Sequence, residues 1–206
     1  MKRNVLFVLA AIVVCGLTMT LFTQCNKDKP EENNPEVKMM YMVSVSPDVL
    51  TVADIEVNYV DASGAKQKEI MTDTVWKKPF TANTLPLTEG IWAKLTPKTI
   101  LAEGTYQLGI QTAASYRATL PDGSQIDEAY GNDYESTVAT AQSAEEVAAW
   151  CAKSPTVAIT LNEAGNAQLT TVDFGGNDAG SNGGGVVLCE LFCWIWDLDP
   201  AVYCAK

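Results

Sequence analysis

Hydrophobic and polar residues alternate in short runs through the middle of the chain, from residue 37 to residue 175. Alternation with a period of two places one set of side chains on a buried face and the other in water, which is typical of β-strands. Val, Thr, Tyr and Trp, which favour strands, are frequent in these runs. The pattern predicts strands at residues 37–46, 54–60, 67–77, 80–83, 90–96, 104–120, 156–161 and 167–174.

Turn residues and breaks divide these runs. The turn at 61–64 makes 54–77 a predicted hairpin, and the turn at 162–166 makes a second one near the end of the run. Because a single flat strand as long as 104–120 is rare, we expect a bend or bulge near residues 113–115. Pro79 lacks an amide hydrogen, so an interior strand position is not expected there.

One short helix interrupts the strands. Residues 127–142 are acidic and irregular, and Ser143 follows them with Glu146 three positions later. This spacing is a capping box, in which both side chains satisfy backbone donors at a helix start. The predicted helix ends at 154–155, a Ser-Pro pair, and three turns are too short to persist alone in water. It must therefore dock on the strands.

Seven or eight short strands with one small helix are typical of an antiparallel, immunoglobulin-like β-sandwich. The predicted fold class is therefore mainly β, with the sandwich at residues 37–175. An up-and-down β-barrel is the alternative architecture that the same strand pattern allows.

The first 25 residues have the pattern of an export signal. Lys2 and Arg3 precede an unbroken apolar run at 5–22, and Cys25 lies just after the run stops. A charged start, an apolar stretch and a short polar exit are typical of such a signal. Two other interpretations of this segment are an ordinary cleaved secretory signal and an uncleaved membrane anchor. For an anchor, the apolar run is at the lower edge of the length that spans a bilayer.

Cys25 resembles the lipid-acceptor cysteine of bacterial lipoproteins, and the Lys-Asp pair close behind it resembles the signal that sends some of them to the cell surface. With an acidic tether and a sandwich after this cysteine, residues 1–175 resemble small surface lipoproteins of Gram-negative bacteria. The resemblance implies a signal peptide at 1–24, fatty acyl chains such as palmitate on Cys25, and a tether at 25–36. It also implies a lipid-anchored place in the outer membrane of the cell envelope, including display at the surface. It carries no functional residues.

Composition excludes several chemistries. The chain has 14 basic and 25 acidic residues, a net charge of −11, and loss of residues 1–24 would remove only the basic Lys2 and Arg3. Such a surface repels nucleic acid phosphates, so no nucleic acid partner is expected. The chain contains no histidine, which rules out Ser-His-Asp and Cys-His catalysis and His-ligated metals. We therefore predict that the protein is not an enzyme and has no cofactor.

The sequence contains two groups of possible metal ligands, and neither predicts a metal site. Acidic residues cluster in and after the turn at 121–123, and carboxylate oxygens suit calcium. Their spacing fits no EF-hand loop, so a solvated acidic loop is the preferred interpretation. The cysteines near the C-terminus lack the paired short spacings of a zinc ribbon.

The C-terminus differs from the rest of the chain. Residues 176–185 are a Gly-rich linker by composition, and 186–206 are rich in Cys and Trp. So much apolar surface would aggregate if exposed, so we expect a terminal strand or short helix docked on the sandwich. The candidate disulfide cysteines are Cys151, Cys189, Cys193 and Cys204, for which three pairings exist. We prefer Cys189 or Cys193 joined to Cys204, with the other joined to Cys151.

The aromatic residues leave two functions open. The leading hypothesis is a non-enzymatic lipoprotein that serves adhesion, assembly or recognition of a cell-envelope protein. The alternative is a glycan-binding surface lipoprotein, in which Trp92, Trp194 or Trp196 stacks on a sugar ring. A glycan site requires at least two exposed rings on one face, and this requirement distinguishes the two hypotheses.

Overall fold

The computed structural model describes residues 34–98, 104–132, 138–153, 155–175 and 189–204. The predicted signal peptide, Cys25, most of the tether and the linker at 176–185 lie outside the described residues. The strands are β1 (Glu36–Val45), β2 (Ala53–Val60), β3 (Lys66–Met71), β4 (Val75–Ala82), β5 (Leu87–Pro97), β6 (Tyr106–Leu108), β7 (Ile110–Thr119), β8 (Gln125–Gly131), β9 (Ala139–Ala141), β10 (Thr156–Leu161) and β11 (Ala167–Leu169). The helices are α1 (Pro47–Val52), α2 (Ala144–Cys151), α3 (Cys189–Ile195) and α4 (Pro200–Tyr203).

Two antiparallel sheets form a sandwich. One has four strands in the order β4-β1-β7-β8, and the other has five in the order β11-β10-β5-β2-β3. β6 and β9 form a separate short pair. Neither sheet closes on itself among the described strands, which confirms the predicted antiparallel sandwich and makes the barrel alternative wrong.

The alternation in sequence divides the side chains between two apolar clusters. In β1, Tyr41 and Val43 face the main core between the sheets, together with inward residues of β2, β5 and β7. Met42, one position away, faces the opposite side and belongs to a second, smaller cluster. Each large side chain buried in this way contributes about 1.5–3 kcal/mol relative to an exposed one. The four-stranded sheet is thus covered on both faces.

The predicted strand at 67–77 is in fact two strands in different sheets. β3 pairs with β2, opposite Ile55 at its last residue Met71, whereas β4 pairs with β1. At the break the Asp73 carboxylate accepts a hydrogen bond of 2.7 Å from the Thr74 amide, a local contact that competes with strand pairing. The predicted hairpin at 54–77 is therefore correct only for β2 and β3. Pro79 lies in β4, at the edge of its sheet, as its missing donor requires.

Two other boundaries differ from the prediction. The long run at 104–120 breaks at Gly109, whose amide donates to Ser46 Oγ at 2.9 Å, and not near 113–115. The segment predicted to be irregular at 127–142 includes most of β8, because partners on β7 compensate its acidic side chains. Composition alone does not show those partners.

The predicted capping-box helix is confirmed as α2. Ser143 Oγ accepts from the Glu146 amide at 3.2 Å, and Glu146 Oε2 accepts from the Gln142 amide at 2.6 Å. The prediction of one helix is incomplete, since α1 begins at Pro47, between the predicted strands at 37–46 and 54–60, and α3 and α4 follow near the C-terminus. None of the helices in the described part of the chain is long and apolar enough to cross a membrane.

Candidate functional site

Residues 189–204, which hold α3 and α4, lie on the outer face of the four-stranded sheet, and we call them the C-terminal cap. Their buried apolar side chains contact outward-facing residues of β1, β7 and β8. This second cluster consists of Met42, Ala113, Ala129, Leu191, Phe192 and Ile195. Gly131, at the end of β8, lets α3 approach closely, because a Cβ there would lie 3.0 Å from Leu191 Cδ2. The expected docking of an apolar C-terminal segment thus takes the form of short helices.

Three sulfur atoms gather at one end of the cap. Cys189 is bonded to Cys204, and the buried Cys193 remains a thiol with its Sγ 3.5 Å from Cys204 Sγ. The other preferred bridge, to Cys151, is not formed. Cys151 packs in the main core, whereas Cys193 lies outside the four-stranded sheet. The two cysteines therefore do not approach each other closely enough for a disulfide. Burial raises the pKa of the Cys151 thiol to about 11.

Arg117 fastens the cap to the sheet. Its Nε and one terminal nitrogen donate to Asp127 on the neighbouring strand at 2.8 and 3.1 Å, and the Tyr203 hydroxyl donates to the same carboxylate. The guanidinium also lies 5.6 Å from the ring centroids of Phe192 and Trp196. The hydrogen bond with Asp127 raises the pKa of Arg117, and burial raises the pKa of Tyr203. A planar cation suits this combination of a forked pair and stacked rings.

The two tryptophans of the cap have different roles. Trp196 faces the sheet, with its Nε1 donating to Ser115 Oγ at 2.9 Å and its ring stacked on Phe192 at 5.8 Å. Trp194 faces solvent and is 45% exposed. Lys77 holds the chain at this point, because its Nζ donates to Trp194 O at 3.4 Å and to Asp197 Oδ1 at 3.0 Å. The cap therefore presents one large aromatic ring on a fastened backbone.

Trp92, the remaining aromatic candidate, lies on the opposite side of the molecule. It is on the outward register of β5, half-buried beside Phe174 at 6.3 Å, with Lys94 Nζ 6.0 Å from its ring centroid. Trp194 and Trp196 lie on the outer face of the other sheet. The structure therefore does not bring the predicted stacking residues together into one platform.

A buried acid that the sequence analysis did not predict lies in the main core. Glu89 is fully buried on the inward face of β5, next to the Tyr41 hydroxyl. That hydroxyl is 3.0 Å from Val60 O and 2.9 Å from the Gly90 amide nitrogen. Burial raises the pKa of Glu89 to about 8 and that of Tyr41 well above its usual range.

The hydrogen bonds at Tyr41 depend on the protonation state of Glu89. The Val60 carbonyl can only accept, and the Gly90 amide can only donate. The single proton of the Tyr41 hydroxyl serves one of two acceptors, Val60 O or Glu89 Oε2, and a neutral Glu89 has a proton of its own for the contact that the hydroxyl does not supply. Glu89 Oε1 has no hydrogen-bond partner among the described residues, which a neutral carboxyl tolerates better than a carboxylate.

The acidic cluster weighed as a calcium site consists of Asp122, Asp127, Glu128, Asp133 and Glu135. The last two lie outside the described residues, and the other three have separate partners. Asp122 accepts from the Ser124 amide at 2.9 Å within its turn, and Asp127 is paired with Arg117. Glu128 accepts from the hydroxyls of Tyr116 and Tyr130 at 2.8 and 2.6 Å. Asp127 and Glu128 are adjacent on a strand and face opposite sides of it. They are not directed toward a common ion.

A cleft of about 360 Å³ lies beside the turn between β2 and β3 and is lined also by Pro86 and Val172. Lys66 is its ionisable lining residue, and its Nζ donates to the backbone oxygen of Asp173. A single ionisable group that is already hydrogen-bonded does not form an acid–base pair. The cleft therefore adds no catalytic arrangement.

Sequence reasoning did not identify Arg117 or Glu89. Arg117 carries a signal in retrospect, because it is the only basic residue between Lys98 and Lys153 and one of two arginines in the chain. Glu89 carries none, since it immediately precedes the predicted strand at 90–96 and acidic residues at strand ends are usually exposed.

No family model, curated protein or solved structure shows a significant match to this chain.

Proposed function

We propose that this protein is a non-enzymatic lipoprotein of the cell envelope, held on the outer membrane by acyl chains on Cys25, whose sandwich serves protein recognition. The export pattern of residues 1–25 supports the location. The acidic segment after Cys25 would then serve as the tether between the lipid anchor and the sandwich. More than one acyl chain supplies the stable anchoring that a single chain does not.

The observation that carries recognition is the exposed ring of Trp194 on a braced cap. Trp194 is 45% exposed and Val202, on the same cap, is 71% exposed. The disulfide, Arg117 and Lys77 hold the backbone around them. Exposed tryptophans on rigid supports are frequent hot spots in protein interfaces, because little conformational freedom is lost on binding. A partner protein of the envelope therefore fits this surface better than a substrate.

The glycan-binding alternative has weaker support. Sugar rings are usually held by more than one aromatic face with polar groups beside them. Trp92 is on the other side of the molecule from Trp194, and Trp196 is turned toward Ser115. Trp194 would have to act alone.

Trp194→Ala in the full-length chain tests the recognition surface, with Trp92→Ala as the matched control. Each variant is made in the producing cell and treated with a short chemical crosslinker. We expect the wild type and Trp92→Ala to give the same discrete crosslinked species, and Trp194→Ala to lose it at least tenfold. Undiminished crosslinking of Trp194→Ala would contradict the proposal.

A glycan array probed with the purified full-length chain separates the two functions. We expect uniform background signals. Binding to one class of glycan that Trp194→Ala abolishes would favour the alternative.

Cys25→Ser tests the anchor. We expect this variant to incorporate no labelled fatty acid and to leave the membrane fraction, while the wild type incorporates label and stays there. A variant that lacks label but sediments with membranes would show that another feature holds the protein.

A further inference from the structure

We propose that Cys189, Cys193 and Cys204 form a thiol–disulfide exchange site. The bond in place joins Cys189 to Cys204, and the third sulfur, on Cys193, lies 3.5 Å from Cys204 Sγ. All three Sγ atoms lie within 4.8 Å of one another. This separation brings the third sulfur within reach of the disulfide, and disulfides isomerise by attack of a thiolate on one of their sulfurs.

The exchange conserves atoms and electrons. The Cys193 thiol loses its proton, which the departing Cys189 sulfur finally takes up, and the Cys193 thiolate attacks Cys204 Sγ. A Cys193–Cys204 bond forms as the Cys189–Cys204 bond breaks, and Cys189 leaves as a thiolate. One disulfide and one thiol are present before and after, so the step needs no oxidant or reductant.

The local fold allows both bonds. Cys189 and Cys193 are four residues apart on α3, so they lie on the same side of the helix. The Leu198 amide donates to Cys193 O at 2.8 Å, where the chain turns back toward α4 and Cys204. The two bridges span sequence separations of 15 and 11 residues, which differ little in loop-closure entropy.

The exchange changes the accessibility of the thiol. Cys193 is fully buried, whereas Cys189 is exposed. Isomerisation therefore transfers reactivity from the interior of the cap to its surface. The exposed Cys189 thiolate can then attack a disulfide of another molecule, forming a mixed disulfide at Cys189 and releasing the other sulfur as a thiolate.

The aromatic disulfide dithionitrobenzoate is a direct probe of this chemistry. The full-length protein is treated with it in the absence of reductant, and the modified peptides are mapped by mass spectrometry. We expect an adduct on Cys189 together with a Cys193–Cys204 bridge, formed at a rate that becomes independent of reagent concentration. Absence of an adduct on Cys189, or an adduct on Cys193 beside an intact Cys189–Cys204 bridge, would overturn the proposal.

Variants separate exchange from simple exposure. Cys193→Ser removes the attacking sulfur and should reduce the Cys189 adduct at least tenfold, whereas the matched control Cys151→Ala, which removes the other buried thiol, should leave it unchanged. Cys189→Ala provides a second measurement that does not depend on labelling. Treated with oxidised glutathione, which takes up the two electrons, its remaining pair should form a Cys193–Cys204 disulfide in the folded protein, and persistence of two thiols there would contradict the inferred geometry.

Discussion

Glu89 couples the stability of the sandwich to pH through a single carboxyl group. Its pKa is about 8 in the folded protein, against an ordinary value of 4.5. Between these values the folded state binds more protons than the unfolded state, so the free energy of unfolding falls as the pH rises. This contribution is complete below pH 4.5, amounts to roughly 5 kcal/mol, and is lost above pH 8.

Glu89→Gln should remove this dependence. The amide group of glutamine keeps a donor for Tyr41 but does not titrate, so we expect urea midpoints that are flat between pH 5 and 8, where those of the wild type fall. Glu69→Gln is the matched control. Its hydrogen bond with Lys78 lowers the pKa of Glu69, so Glu69→Gln should change the pH dependence of stability only in acid and keep the wild-type slope between pH 5 and 8. Equal slopes for the wild type and Glu89→Gln would show that another group titrates.

At the level of elements, the sequence predicted those strands in which strongly apolar residues alternate with smaller or more polar ones. β2 and β10 match their predicted ranges closely, because every second side chain of each strand points into the main core. Ser143 likewise fixed the start of α2. Local side-chain chemistry of this kind depends on a few neighbouring residues, so it can be identified in a single sequence.

The misplaced elements depend on distant partners. β8 contains two adjacent acids, which are typical of a loop. In the structure they are hydrogen-bonded to Arg117 and Tyr116 of β7, and these partners cannot be identified from the local sequence. β4 continues the pattern of β3 but pairs with β1, which no local signal specifies. The candidate site was predicted only in part, because some of its contacts also depend on distant partners. The cysteines were visible, whereas the Arg117 contact to Trp196 depends on where the cap docks.

The docking of α3 depends on Gly131. A methyl group at this position would lie 3.0 Å from Leu191 Cδ2 and 3.3 Å from the Thr112 carbonyl oxygen. Overpacking of this kind costs about 1–3 kcal/mol. We therefore expect Gly131→Ala to lower the free energy of unfolding by that amount, measured by urea titration with tryptophan fluorescence.

Gly104→Ala is the corresponding control. Its added Cβ would meet nothing closer than Tyr106 at 3.9 Å, which is an ordinary contact. Its free energy of unfolding should stay within about 0.5 kcal/mol of the wild type. If both variants were equally stable, α3 would not depend on the absence of a side chain at Gly131.

The molecule as a whole has two apolar clusters on either side of one sheet. The main core lies between the sheets and contains no residue of the C-terminal cap. The second cluster is completed only by the cap. The sandwich therefore has its own core, and the cap converts an apolar outer face into a surface that carries Trp194. Stability and recognition are thus assigned to different parts of the chain.

A chain that ends at Gly175 should reveal this division. We expect it to keep its β-sheet circular dichroism, since the main core is intact, but to self-associate and bind a hydrophobic dye, because Met40 and Met42 of β1 lose their cover. Size-exclusion chromatography measures the association. The same truncation with Met40→Thr and Met42→Thr should return to a monomer, since threonine suits a strand and presents a hydroxyl to water. An unfolded truncated chain would instead show that the cap belongs to the folding unit, because the main core would then be insufficient without it.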